Sequence, residues 1–282
     1  MTDIQARIAR LFIYPVKSCA GLELPAAELV ETGFDLDRSW MVVDEAGDFV
    51  TQRDLPKMAL IRPNLRHGDI VLRAPGMLAL HLAVDQVESP LPVRLWGQEV
   101  PAWDMGAVAA QWFTDFLGRR LRLARFDPEH QRLSDAAWTG GVAAPNQFSD
   151  GFPLLVASEA SLAGLNDRLL AQGRAAVGME RFRPNIVLSG LQAHDEDRLA
   201  GLRSEDGSLK LRLVKPCTRC SIPGIDPATA QVDPIVSDTL QSYRRDARMG
   251  GAVTFGMNAI VPSGLGQMLR VGQVLEGTWN FG

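Results

Sequence analysis

The chain has 282 residues, 46% hydrophobic and 22% charged, enough to bury a core without disulfides. Lysine plus arginine number 29 against 33 aspartates plus glutamates, and a formal charge of −4 argues against nucleic-acid binding by bulk charge. No apolar run approaches the roughly 18–20 residues of a membrane span, the first ten residues lack a signal-peptide stretch, and three cysteines suit a reducing compartment, so a cytoplasmic protein is expected.

The first part reads as β-rich. An apolar run over residues 8–14 stops at Pro15, residues 39–44 and 48–51 flank a turn containing Gly47, and residues 58–65 and 70–73 flank another. Strands at this spacing predict a barrel or sandwich. Val108, Trp112 and Phe116 recur four apart, predicting an amphipathic helix over 107–117 that ends at Gly118. Residues 121–126 alternate like a strand, and 127–141 are polar and loop-like.

The second part is mixed. Residues 154–157 read as a strand, and Ser158 is a good N-cap for a helix with Leu162, Leu165 and Leu169 on one stripe and Gly173 past its end. Strands follow over 186–188 and 209–214, Ser237 can cap a helix carrying Leu240 and Tyr243, and 264–275 alternate as in a hairpin. The reading is an α+β, β-rich chain in two parts, 1–126 and 127–282, without repeats or heptads; with no coiled-coil pattern, a monomer is expected.

Chemistry concentrates in four stretches. Lys215-Pro216-Cys217-Thr218-Arg219-Cys220 follows a strand; thiolates bind soft metals, and neighbouring cations such as Lys215 and Arg219 lower thiol pKa values. A zinc site needs two more ligands, and Cys19, His67, His81, His130 and His194 are scattered. A thioredoxin-like pair needs a following helix, which Pro223, Gly224 and Pro227 oppose. Two small buried residues remain an equal alternative at this point. Lys17 and Ser18, in a turn after Pro15, can donate to a phosphate, or Lys17 is a solvated strand-end lysine. Arg38 offers a planar fork to an anion, or a surface ion pair with Asp35 or Asp37. Arg183 and Asn185 share one side of an extended segment, suiting an anionic, hydrogen-bonding heterocycle, or they are strand-edge residues.

Six ordered motifs give these stretches a common meaning: YPVKSC (14–19), DRSWMVVDEAGDFVTQR (37–53), DGFPLLVASEASLAGLN (150–166), RFRPNIVLSG (181–190), KPCTRCSI (215–222) and FGMN (255–258), before a terminal VGQVLE. Over nearly its full length the chain resembles the MOSC family preceded by its N-terminal β-barrel domain, as in amidoxime reducing components and their bacterial relatives. The resemblance implies a molybdenum cofactor, a pterin whose dithiolene holds the metal and whose tail ends in phosphate. It implies Cys220 as metal ligand, with Cys217 a neighbour. Lys17, Ser18 and Arg38 would hold the phosphate, and Ser158, Arg183, Asn185, Thr218 and Arg219 the pterin or the metal's surroundings.

The implied reaction is reduction of N-hydroxylated compounds (amidoximes, hydroxylamines, hydroxylated bases) to amines and water. Asp195, within Asp195-Glu196-Asp197, is the proton donor expected from a matching acidic triplet in bacterial members. Without a fused iron–sulfur domain, electrons would come from a separate carrier, such as a ferredoxin, flavodoxin or cytochrome b5-like protein. The alternative is a cofactor carrier or sulfur-transfer module without reductase activity; a third reading is a site for another sulfur-bound or phosphorylated ligand.

Overall fold

The computed structural model describes residues 3–66 and 68–280; His67 lies outside the described residues. Seven strands close a barrel: β1 (Ile4–Ile13), β2 (Leu154–Ser158), β3 (Ile186–Ser189), β4 (Leu199–Arg203), β5 (Lys210–Thr218), β6 (Ala252–Ser263) and β7 (Val274–Trp279). Around the ring they run β2-β3-β1-β7-β4-β5-β6 and back to β2. An odd number of strands cannot alternate direction all the way round, so one neighbouring pair must be parallel. That pair is β2 and β3. A parallel pair needs a crossover rather than a hairpin, and a helix over Glu159–Ala171 supplies it. Inward residues such as Ile8, Leu154, Ile186, Leu213 and Met257 fill the barrel with one apolar cluster.

The strand expected over 8–14 thus belongs to the barrel: β1 pairs with β3 and β7. The chain then leaves to build small three-stranded sheets, among them Trp40–Val43 with Arg122–Phe126 and Ala102–Asp104. Against these packs a second apolar core that includes Trp40, Met58 and Phe113.

The helices, in chain order, are α1 (Ala107–Leu117), α2 (Ala136–Thr139), α3 (Glu159–Ala171) and α4 (Ile235–Gln241). The first matches its expected span and ends on Gly118, left-handed at φ 73°. At the start of α3, Ser158 Oγ accepts from Ser161 N at 3.1 Å, as an N-cap should. Helix α4 differs from expectation. Ser237 lies inside it, because Pro234 stands at its N-cap and Asp233 Oδ1 accepts the Ile235 N–H at 3.0 Å. The expected 264–275 hairpin is not formed either. Met268–Arg270 pairs with Ala26–Val30, and β7 pairs with β1 and β4, which carries Leu269 and Leu275 into the barrel's apolar cluster. Among the described residues no helix is long and apolar enough to cross a membrane.

Candidate functional site

Barrel register brings the motifs together. Asn185, just before β3, donates its N–H to Leu155 O at 2.8 Å and accepts Leu155 N at 3.1 Å on Oδ1. Leu155 is paired with Asn258 on β6, and Asn258 with Lys215 on β5. One row across the barrel wall therefore reads Asn185, Leu155, Asn258, Lys215. Leu154, Val156, Ile186 and Met257 point inward, so by strand alternation this row faces outward. The N-terminal part closes over it with Lys17, Ser18, Arg38, Arg53 and Trp96, leaving a cleft of about 490 Å³.

Four non-glycine residues of this cleft hold left-handed backbone: Ser18 (φ 65°), Arg38 (φ 52°), Trp96 (φ 53°) and Arg183 (φ 58°). Such conformations cost energy in most L-residues and gather where a site over-determines them. For Trp96 the cause is local: with Gly97 (φ 78°) it forms the two-residue turn joining Val93–Leu95 to Gln98–Val100. Gly21 has a packing reason, since a Cβ there would come within 2.5 Å of the Tyr14 ring. That ring carries Arg38 and Arg183, whose guanidinium carbons lie 4.4 and 4.2 Å from its centroid.

The cations divide by their partners. Arg38 binds the Asp37 carboxylate, Asn185 Oδ1 at 3.0 Å and Arg183 O at 3.1 Å. Lys17 Nζ donates to Phe148 O at 2.7 Å and to Asp150. Burial lowers the Lys17 pKa, and Asp150 works against it. Loss of hydration works to raise the Asp150 carboxyl, but Lys17, with Arg38 and Arg53 beyond it, holds it at about 2. The Asp150 side chain is nonetheless 77% exposed, so solvent screens this pair. Arg181 pairs with Asp226 at 2.9 Å and donates to Pro223 O, tying down the loop after Cys220. Arg53, Arg183, Lys215 and Arg219 have no carboxylate within 4.0 Å among the described residues. Burial, and then the charge of Arg38, bring the Arg183 pKa down to about 10. A half-buried guanidinium so placed is stabilised by an arriving anion.

The thiols differ. Cys220 is exposed and Cys217 half-buried, and both line the cleft. Burial raises the Cys217 thiol, and Arg219 only partly opposes it, which corrects the expectation that neighbouring cations lower this thiol. Cys19 is fully buried and pushed up to about 12 by that burial. Among the described residues no group of three or more His, Cys, Asp or Glu side chains converges on one point.

Of the residues expected in the site, Lys17, Ser18, Arg38, Arg183, Asn185, Thr218, Arg219 and Cys220 line this cleft. Two of them act by bracing. Asn185 is 1% exposed, and its side chain joins Arg38, Leu155 and Phe12. Arg219 donates to the carbonyls of Phe182 and Phe255, pinning the Cys220 loop to the barrel.

Two expected residues lie elsewhere. Ser158 is fully buried, and its hydroxyl is engaged by Ser161 and by Glu196 at 2.9 Å, so it caps α3 and does not face the cleft. Asp195 lines a separate cavity with His194, Asp197 and Arg244, and its carboxylate accepts Gln192 N. Strand β3 intervenes between Asn185 and this loop, so proximity in sequence is not proximity in space. Sequence reasoning did not assign Asp150, Arg53, Trp96 or Asn258, all on the cleft wall. Asp150, Arg53 and Asn258 fall within the quoted motifs, which was the available signal; the hairpin bearing Trp96 carries none.

The Asp195 cavity supports one prediction. Burial, and then Arg244 and Arg168, lower the His194 pKa to about 4, and both ring nitrogens are buried without a partner among the described residues. An unfolded histidine takes its proton near 6.5. The neutral ring thus contributes stability above pH 6.5 that is lost as pH falls towards 4, by an amount that solvent screening of the half-buried ring reduces. Glu196 and Asp197, both raised by burial, act in the opposite direction in any variant. At this left-handed position (φ 68°) asparagine is tolerated, so His194→Asn should gain relative to wild type in denaturant stability between pH 7 and 4.5. Parallel pH profiles for the two proteins would count against this account.

The MOSC N-terminal β-barrel domain model matches residues 5–120, and the MOSC domain model residues 143–276. Mitochondrial amidoxime reducing component 2 of Bos taurus is 34% identical over 249 residues, covering 84% of this chain and 72% of that protein. Component 1 of Mus musculus is 36% identical over 249 residues (84% and 71%), and component 1 of Homo sapiens 35% over 251 residues (84% and 72%). With a barrel built partly from its own first strand, and a cationic cleft ending at a paired-cysteine loop, the chain belongs to the MOSC family, alongside the amidoxime reducing components.

Proposed function

We propose that the cleft binds a molybdenum–pterin cofactor and that the protein reduces N-hydroxylated compounds such as amidoximes. The observation that carries this reading is the set of four cleft cations without carboxylate partners among the described residues, beside one exposed thiol, Cys220. A metal held by the protein alone needs several converging ligands, and the cleft offers no such group among the described residues. A metal that brings its own sulfur-rich anionic scaffold needs only one thiolate and fixed positive charge, which fits the donor set here. When bound, the group supplies the two-electron couple and a Lewis-acid centre for the departing oxygen.

The chain's own residues divide the remaining work. Cys220 holds the metal, and Lys17, Ser18 and Arg38 receive the terminal phosphate, Arg38 held in place by Asp37 and Asn185. Arg183 adds positive charge, Thr218 presents an exposed hydroxyl beside the thiols, and Arg219 fixes their loop. For an amidoxime, two electrons and two protons break the N–O bond, leaving an amidine and water. The two protons come from solvent in the open cleft: Asp195 lines another cavity, and Asp150, held at about 2 by Lys17, is ionised at neutral pH. Electrons come from a separate carrier, a ferredoxin, flavodoxin or cytochrome b5-like protein, in a reducing cytoplasm where both cysteines stay out of disulfides.

Protein expressed with intact cofactor synthesis should contain about one molybdenum per chain and reduce benzamidoxime with an artificial electron donor. Molybdenum without reduction would favour a carrier or sulfur-transfer module. Absence of molybdenum would favour another phosphorylated or sulfur-bound ligand.

A further inference from the structure

We propose that Lys215, with Trp138 and Phe152, forms a subsite selecting N-hydroxylated substrates that carry an anionic group on a flat ring. The inference rests on the proposed reductase activity. Strand β5 places Lys215 two residues before Cys217 and five before Cys220, at the thiol end of the cleft. Asn258 fixes the strand there, its Nδ2 donating to Lys215 O at 3.2 Å. The Lys215 Nζ stands 5.2 Å from the Trp138 ring centroid and 5.7 Å from that of Phe152. Phe152 lines the cleft, and Trp138 packs behind it in one small apolar cluster with Ala144 and Ile260, which holds both rings in position.

The contrast with Lys17 is informative. The Lys17 charge meets Asp150 and a backbone carbonyl, at the end of the cleft where the phosphate is placed. The Lys215 ammonium meets only aromatic faces, and no carboxylate lies within 4.0 Å of it among the described residues. Ring faces orient a cation but carry no formal charge to neutralise it. An uncompensated ammonium beside the Phe152 ring on the wall shared with the thiols suits an aromatic substrate bearing a carboxylate or phosphate. Such a charge contact distinguishes substrates that a purely apolar pocket treats alike.

The test compares benzamidoxime with 4-carboxybenzamidoxime on molybdenum-loaded wild type, Lys215→Met and Lys215→Arg. Wild type should favour the carboxylate by about tenfold in kcat/KM, through KM. Lys215→Met should bring that ratio close to one, and Lys215→Arg should keep most of it. Calorimetric titration with 4-carboxybenzamidoxime gives a readout free of turnover, and Lys215→Met should weaken its binding by about tenfold. A wild-type ratio near one, a ratio unchanged in Lys215→Met, or equal calorimetric affinities would each overturn the subsite while leaving the reductase reading intact. Failure of wild type to reduce either compound would sink the reductase reading, and the titration would still decide the subsite.

Discussion

Serine in place of Cys220 should abolish molybdenum retention and benzamidoxime reduction together. A serine hydroxyl stays protonated at neutral pH and is a hard oxygen donor, whereas the proposed site offers a soft thiolate. Groups that merely hydrogen-bond to a metal ligand are worth about 10–100-fold in affinity, so loss of the ligand itself should exceed that. Cys217→Ser is the matched control. Cys217 is half-buried, its Sγ lies 3.8 Å from Thr218 O, and burial raises its thiol pKa. The variant should retain molybdenum near the wild-type level, as read by elemental analysis. Metal lost from Cys217→Ser and kept by Cys220→Ser would reverse the two assignments.

Replacing Arg38 by methionine should damage both folding and cofactor retention, whereas Lys17→Met should damage retention alone. From residue types, Arg38 was open to a surface ion pair; the structure instead buries its partner. The Asp37 side chain is 1% exposed and that of Arg38 12%, and the second Asp37 oxygen accepts Tyr14 N at 2.7 Å. Removing the guanidinium leaves a buried carboxylate and the Asn185 carbonyl short of a donor. Breaking a buried pair in this way costs about 3–5 kcal/mol. In a chain of this size that corresponds to roughly 10 °C in Tm. Lys17 differs because its carboxylate partner remains open to solvent. Methionine fills the stem and forfeits the hydrogen bond to Phe148 O, a cost of about 1 kcal/mol. Thermal unfolding of metal-free protein, with molybdenum analysis of loaded protein, separates the two. Equal Tm values for Arg38→Met and wild type would show that Asp37 finds another partner. Full molybdenum content in Lys17→Met would remove Lys17 from the phosphate end.

What the sequence by itself determined is local. Apolar period and an ending glycine set α1, the Ser158 hydroxyl set the start of α3, and the six motifs identified the family with most of its cationic residues. These features depend on interactions within a few residues or on motif order, both of which are written along the chain. Neighbourhood in space is not written there. The row Asn185, Leu155, Asn258, Lys215 exists because the β2–β6 and β5–β6 pairings, with a register shift beside Lys215, and the Asn185–Leu155 hydrogen bonds line up around a closed barrel. Only that closure decides which residue on each strand faces the cleft. It placed Ser158 under α3 with Glu196, moved Asp195 to another cavity, put Asp150 beside Lys17, and left Lys215 between two aromatic rings. Each is a long-range contact whose partners carry no mark of one another in the linear sequence, because side-chain burial and charge pairing are fixed only when distant strands meet.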